Sequence, residues 1–209
     1  MKKAVIFDMD GVLVYTEQYY FNRRMKFFDE LGIEPRTRKI QDFIGLSSDM
    51  IWEMLVPEDK EKRERLEKEY LKYSKKNEVN FLQVLNPSTK EVLNRLKDNN
   101  IKIAIASSSK KLDILRMIKD CKISDYIDFV ISGEECENDK PDPEIYIKAI
   151  KTLGFLSKEV IVVEDSKLGI RAAKAAGLNV IALAQKEYDI DQSEADFKIN
   201  DLIEVVEKI

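Results

Sequence analysis

Four carboxylates, a lysine and a run of serines stand out because each follows a short apolar stretch. Residues 4–7, Ala-Val-Ile-Phe, end in Asp8; Asp10 follows two residues later, and then Gly11. Residues 101–106 end in Ser107-Ser108-Ser109. Residues 129–132 lead through a loop to Lys140-Pro141-Asp142-Pro143. Residues 160–163 end in Glu164-Asp165-Ser166. Each group has an ordinary reading. Asp10-Gly11 suits a turn, the serines suit a helix N-cap cluster, Asp142 and Pro143 suit an N-cap and first-turn pair, and Asp165 or Ser166 suits another cap. Taken together they suggest chemistry. Acidic residues are poor strand formers, and burying one is costly unless it is paired or metal-bound. Two carboxylates ~4 Å apart repel by roughly 4 kcal/mol at an effective dielectric near 20. Four gathered in one place need a cation. Oxygen ligands alone select a hard ion, and Mg²⁺ fits best beside a phosphate. A carboxylate nucleophile, a spare carboxylate, a lysine and a serine hydroxyl are then the parts of phosphoryl transfer through an aspartyl-phosphate.

The elements that would bring these residues together are legible. From residue 87 onward helical patterns and short apolar strands alternate: helix 89–99, strand 101–106, helix 110–120, strand 129–132, helix 143–153, strand 160–163, helix 167–176, strand 180–183, a short strand 197–199 and a closing helix from Asp201. Near-continuously apolar strands between helices predict a parallel sheet covered on both faces. The strand at residues 3–7 joins that sheet. In such a sheet all strand ends share one rim, where ligands gather. Residues 16–84 carry no strand signal. A helix runs from Thr16, as N-cap, to Gly32, a C-cap glycine. Shorter helical pieces at 38–44 and 48–55 flank Gly45. Pro57-Glu58-Asp59 opens a long helix to Lys76, with Glu58/Lys62, Glu61/Arg65 and Glu64/Lys68 at i,i+4 spacing and Leu66, Tyr70 and Tyr73 as a narrow apolar stripe. The expected fold is α/β: a doubly wound, Rossmann-like parallel-sheet core of residues 1–15 and 87–209, with an all-α cap inserted at residues 16–86.

Composition excludes several alternatives. The chain has 209 residues, 44% of them hydrophobic, a net charge of −4 and no histidine. Without histidine there is no Ser-His-Asp or Cys-His nucleophile system, no His-ligated zinc and no phosphohistidine. There is no G-x-G and no Gly-Lys pair, so the dinucleotide fingerprint and the P-loop are missing. No basic footprint argues for nucleic acid or membrane as a partner. The apolar run after Met1-Lys2-Lys3 is too short for a signal sequence, and none approaches the ~18 residues of a membrane span. Cys121 and Cys136 fit no metal or redox spacing, which suits packing thiols of a cytoplasmic protein.

In order and spacing, Asp8-Met-Asp10-Gly-Val, Ser107, Lys140-Pro141 and Glu164-Asp165-Ser166 resemble the four motifs of the haloacid dehalogenase superfamily. The helical insertion resembles the cap of its β-phosphoglucomutase-like branch, and the resemblance covers nearly the whole chain. It implies that Asp8 attacks phosphorus and that Asp10 protonates the leaving oxygen, then deprotonates the incoming water or hydroxyl. Ser107 and Lys140 would hold phosphoryl oxygens, with Lys140 also restraining Asp8. Asp165, helped by Glu164, would bind Mg²⁺ with Asp8 and the main-chain carbonyl of Asp10. Thr16, Gly45, Ser108 and Ser109 are the expected substrate-binding positions. An acid two residues after the nucleophile argues for phosphate esters over haloacids. Three positions depart from the pattern: Tyr15, where an acid is usual, Ser48, where the mutases carry a cap arginine, and Tyr20, where they carry a hinge histidine.

The leading expectation is a Mg²⁺-dependent phosphatase of a small phosphorylated metabolite, a sugar phosphate above others. Its rival with the same chemistry is a β-phosphoglucomutase, which converts β-glucose 1-phosphate to glucose 6-phosphate. A third reading is a non-catalytic phospho-acceptor signalling domain. Cap closure is expected to gate access, with hinges near 14–16 and 86–88.

Overall fold

The computed structural model describes residues 2–185 and 189–209. It divides into two compact units, residues 1–15 with 81–209, and residues 16–80.

The first unit is built on six strands: β1 (Ala4–Phe7), β2 (Lys102–Ser107), β3 (Phe129–Ser132), β4 (Val160–Glu164), β5 (Asn179–Leu183) and β6 (Phe197–Ile199). They pair in the order β3-β2-β1-β4-β5-β6, every pair parallel. This is the doubly wound order, and its switch point lies beside β1. Successive strand residues face opposite sides, so each side has its own apolar set. Ala4, Ile6, Ala104, Ala106, Val160, Val162, Val180 and Ala182 form one core with the helices α6 (Glu144–Leu153) and α7 (Lys167–Ala175). The alternate residues Val5, Phe7, Ile103, Ile105, Ile161 and Val163 are also fully buried. The helices α4 (Thr89–Asp98) and α5 (Lys111–Asp120) pack against β2 and β3. The expected closing helix from Asp201 is present in 3-10 form over Leu202–Lys208.

The second unit holds α1 (Glu17–Leu31), a 3-10 turn at Ile40–Asp42, α2 (Ser48–Leu55) and α3 (Lys60–Lys76). Its core is aromatic. Phe27, Phe28, Trp52 and Tyr70 meet at ring-centroid distances of 5.3 to 6.5 Å, mostly edge to face, with Met25, Ile51, Leu55 and Leu66 packed around them. Thr16 does not cap α1: its backbone is already helical and its side chain accepts no capping bond. Pro57 and Glu58 precede α3, which Asp59 caps by accepting from the Lys62 N–H at 2.8 Å. Among the described residues its i,i+4 ion pairs are Lys60–Glu64 and Arg65–Glu69, and the three spaced pairs Glu58/Lys62, Glu61/Arg65 and Glu64/Lys68 do not close. Such exposed pairs gain little, so flexible side chains settle among near-equal partners.

Residues 81–86, expected in the insertion, belong to the first unit. Phe81 is fully buried. The Tyr15 N–H donates to Val84 O at 2.6 Å, and the Asn86 N–H donates to Leu13 O at 3.0 Å. Asn86 Nδ2 donates to Val12 O at 2.9 Å, and Thr89 Oγ1 donates to Leu13 O at 2.9 Å. The returning chain is thus hydrogen-bonded to the loop after β1. Among the described residues, no helix is long and apolar enough to cross a membrane.

Candidate active site

Register places the chemistry. Phe7 lies level with Ile105 on β2 and Val163 on β4. The next residue on each strand is therefore Asp8, Ala106 and Glu164, side by side at the carboxyl rim. The Asp8 N–H continues the ladder by donating to Val163 O at 2.9 Å.

Lys140 reaches this rim from the loop before α6. Its ammonium donates to Asp8 Oδ1 at 2.6 Å, Glu164 Oε1 at 2.7 Å and the Ala106 carbonyl at 3.2 Å. All three of its protons are used. Burial works against this charge, but Asp8 and Glu164 more than offset it and hold the ammonium well above its ordinary value. Burial pushes the Asp8 carboxyl up to about 8, with Lys140 opposing the rise and Glu164 and Asp10 adding to it. A carboxyl so placed ionises readily only with positive charge beside it. Lys140 supplies part of that charge.

Glu164 is held from five directions. Oε1 accepts from Lys140 and from the Tyr146 hydroxyl at 2.7 Å. Oε2 accepts from the Asp165 N–H, the Ser166 N–H and Ser166 Oγ at 3.1 to 3.2 Å. Ser166 Oγ also accepts from the Gly169 N–H at 3.1 Å and so caps α7. A Cβ at Gly169 would sit 1.8 Å from Glu164 Oε1; glycine is there because the carboxylate fills that space. Tyr146 and Gly169 were missed by sequence reasoning. Tyr146 looks like one more apolar residue of an amphipathic helix, and only the fold turns its hydroxyl to Glu164.

Asp165 is positioned by Gly11. The glycine has φ +79°, and a Cβ on it would fall 2.0 Å from Asp165 Oδ2. The loop after β1 can therefore lie directly on the carboxylate after β4 only because Gly11 lacks a side chain. Gln192 Nε2 fixes the same segment, donating to the Asp165 and Leu183 carbonyls at 2.6 and 2.8 Å.

Asp8, Glu164 and Asp165 each offer a carboxylate oxygen within 4.8 Å of the others. This all-oxygen group suits a hard divalent cation. The Asp10 carboxylate stands outside it. Asp10 Oδ2 accepts from Ser109 Oγ at 2.6 Å and from Ser107 Oγ at 3.5 Å. Ser107 Oγ in turn accepts from the Ser109 N–H at 3.0 Å, and Ser132 Oγ donates to the Ser109 carbonyl at 2.7 Å. The serines thus tie to Asp10 and to one another, and no side chain caps α5. Ser108 is half-buried, and its Cα would lie 3.3 Å from a Cβ at Gly133. Thr16 and Gly45, the other expected substrate-binding positions, belong to the second unit. Thr16 is buried there, and Gly45 takes φ +75° between the 3-10 turn and α2.

Known proteins are similar to this chain in sequence and fold. The profile of the haloacid dehalogenase-like hydrolases matches residues 5–183. A phosphorylated carbohydrates phosphatase of Thermotoga maritima is 34% identical over 86% of this chain and 83% of its own. The β-phosphoglucomutase of Bacillus subtilis is 29% identical over 88% of this chain and 84% of its own. The crystal structure of a β-phosphoglucomutase from Clostridium difficile superposes with a TM-score of 0.80 at 28% identity, covering 98% of this chain and 93% of that one. The reading as a non-catalytic signalling domain falls away. The chain belongs to the haloacid dehalogenase-like hydrolases and is an enzyme.

Proposed function

We propose that this enzyme is a Mg²⁺-dependent phosphatase of small phosphorylated sugars, working through an aspartyl-phosphate on Asp8. The observation that carries the reading is the division of labour between the two aspartates. Asp8 is clamped by Lys140 beside Glu164 and Asp165, whereas Asp10 is held by serine hydroxyls outside that group. A buried carboxylate with positive charge beside it, where Mg²⁺ would add to the charge of Lys140, can ionise and act as a nucleophile. A neighbouring carboxyl held by hydroxyl donors can move a proton. Asp8 attacks phosphorus while Asp10 protonates the departing ester oxygen; Asp10 then takes a proton from the water that cleaves the phosphoenzyme. Ser107 and Lys140 hold phosphoryl oxygens. Asp8, Asp165, Glu164 and the Asp10 carbonyl would hold Mg²⁺, which supplies charge neutralisation beside the phosphoryl group.

The relatives support the sugar-phosphate class. They include the phosphorylated carbohydrates phosphatase of Thermotoga maritima and the hexitol phosphatase B of Escherichia coli, 26% identical over 98% of this chain. Similarity to β-phosphoglucomutases supports a second reading, transfer of the phosphoryl group between two positions of one sugar. A panel of sugar phosphates with Mg²⁺ separates the two. Released inorganic phosphate supports the phosphatase. Glucose 6-phosphate formed from β-glucose 1-phosphate without released phosphate would establish the mutase instead.

A further inference from the structure

After β5, two glutamines reach back to the rim of the sheet. Gln192 is buried, and its Nε2 uses both protons, one on the Asp165 carbonyl at 2.6 Å and one on the Leu183 carbonyl at 2.8 Å. The last register pair between β4 and β5 is Glu164 with Ala182. The two carbonyls therefore sit one residue beyond that ladder, one from each strand, and Gln192 supplies donors where the ladder has ended. Gln185 is half-buried, and its Nε2 donates to the Gly11 carbonyl at 2.8 Å. The two amides thus grip the two sides of one contact, that of Gly11 with the Asp165 carboxylate.

The segment that carries Gln192 is itself fastened. The helix α7 begins at Lys167, two residues after Asp165. Lys167, Arg171 and Lys174 lie at i, i+4 and i+7, on one helical face. They pair with Asp191, Glu194 and Asp196 at 2.8, 2.6 and 2.7 Å. Each pair is partly exposed and gains little alone, but three in register align residues 191–196 along the helix. Asp196 also accepts from the Val180 N–H at 2.7 Å and donates its own N–H to Val180 O at 2.9 Å. The hold on Asp165 is on its main chain, not on its carboxylate. Asp8 needs no such hold, because its N–H continues the ladder between β1 and β4.

We propose that Gln192 and Gln185 are positioning residues that hold Asp165 against the loop after β1, and that this brace makes the cation site select Mg²⁺ over the larger Ca²⁺. Mg²⁺ demands near-ideal octahedral geometry at about 2.0–2.1 Å, whereas Ca²⁺ accepts flexible arrangements at about 2.3–2.6 Å. A rim whose segments can part suits the larger ion; a rim pinned from both sides suits the smaller. The inference rests on the cation reading above and adds to it the residues that set the choice of ion.

Calorimetry reads cation affinity without turnover. Mg²⁺ and Ca²⁺ are titrated separately into the wild-type protein, Gln192→Leu and Leu178→Ala. Leu178 is buried just before β5, at the end of the strand opposite the rim, so its truncation controls for lost stability. In Gln192→Leu, Mg²⁺ affinity should fall roughly 10- to 100-fold, the range for groups that orient a metal ligand. Ca²⁺ affinity should fall by less than about 3-fold, because its coordination is flexible. The preference for Mg²⁺ therefore drops, while in Leu178→Ala it should stay at the wild-type value. Equal weakening of both ions in Gln192→Leu, or no weakening of either, would overturn the proposal. So would the same shift in Leu178→Ala, which would trace it to stability. Gln185→Leu keeps the test open should Gln192→Leu not fold. It removes a single hydrogen bond, and the preference should move the same way by roughly 3- to 10-fold; an unmoved preference there also overturns the proposal. A wild-type protein that binds neither ion would bring down the cation reading itself, and the brace with it. A wild-type protein that prefers Mg²⁺, with that preference untouched by the glutamine variants, would sink the brace alone.

Discussion

The Lys140 ammonium and the Arg24 Nε are both shielded from solvent, and they are treated in opposite ways. In the sheet unit, Lys140 has an acceptor for each of its three protons, and Glu164 is bound from both oxygens. In the helical unit, Arg24 Nε has no acceptor, and the core around it is a cluster of aromatic rings. The groups proposed to react are thus held by hydrogen bonds within the protein itself, which is what electrostatic catalysis requires.

The sharpest way to break this comparison is Asp8→Asn. If the sheet unit carries the chemistry, activity at neutral pH should fall by several orders of magnitude, with the far-ultraviolet dichroism unchanged. Wild-type rates in that variant would remove Asp8 from the nucleophile's role. On the other side, Trp52→Ala should cost about 3–5 kcal/mol, because it empties the centre of the aromatic core. Chemical denaturation should show the loss, and a cost below about 1 kcal/mol would mean that the rings do not hold the unit together.

Gly11→Ala sharpens the claim that the sheet unit is preorganised. A Cβ 2.0 Å from Asp165 Oδ2, on a backbone at φ +79°, must displace that carboxylate. Mg²⁺ affinity measured by calorimetry is expected to drop roughly 10- to 100-fold, the usual range for disturbing the groups that orient a ligand. Unchanged affinity would sever Asp165 from the cation site.

The smallest effect tests whether saturation in the sheet unit extends beyond the active rim. Asp128 lies between Lys97 and Lys102, at 2.7 and 2.8 Å, and accepts from the Ile103 N–H at 2.9 Å. Burial alone would raise its carboxyl; the hydrogen bonds from Lys102, Lys97 and Ile103 outweigh it and hold the group down at about 2. A folded value below the ordinary 3.8 stabilises the fold above about pH 4, and the contribution is lost as pH falls toward 2. Asp128→Asn should therefore lower stability by on the order of 1–2 kcal/mol at neutral pH, with the gap to wild type closing by pH 2. A pH-independent gap would point to packing instead.

Legibility in the sequence followed the range of each interaction. The apolar run 4–7 and the helix–strand alternation from residue 87 are local patterns, and the sheet follows from them. Ser47, Asp59 and Ser166 cap their helices, as short-range signals allow. Thr16 has the residue type of a cap without the geometry, because its backbone is already helical. The segment 81–86 has no periodicity of its own. Its place is set by hydrogen bonds to residues 12–15, some 70 positions earlier, as in Asn86 to Val12 at a separation of 74.

What the amino acids determined by themselves was the inventory and its rim. Carboxylates at the ends of parallel strands share one edge whatever the details, because every strand of such a sheet points the same way. Only the tertiary structure decided the pairing. Lys140 meets Asp8 across 132 residues, Tyr146 turns its hydroxyl inward to Glu164, and Asp10 faces serines in place of the acidic group. Such choices depend on side-chain direction at contacts far apart in the chain, and no local pattern encodes them.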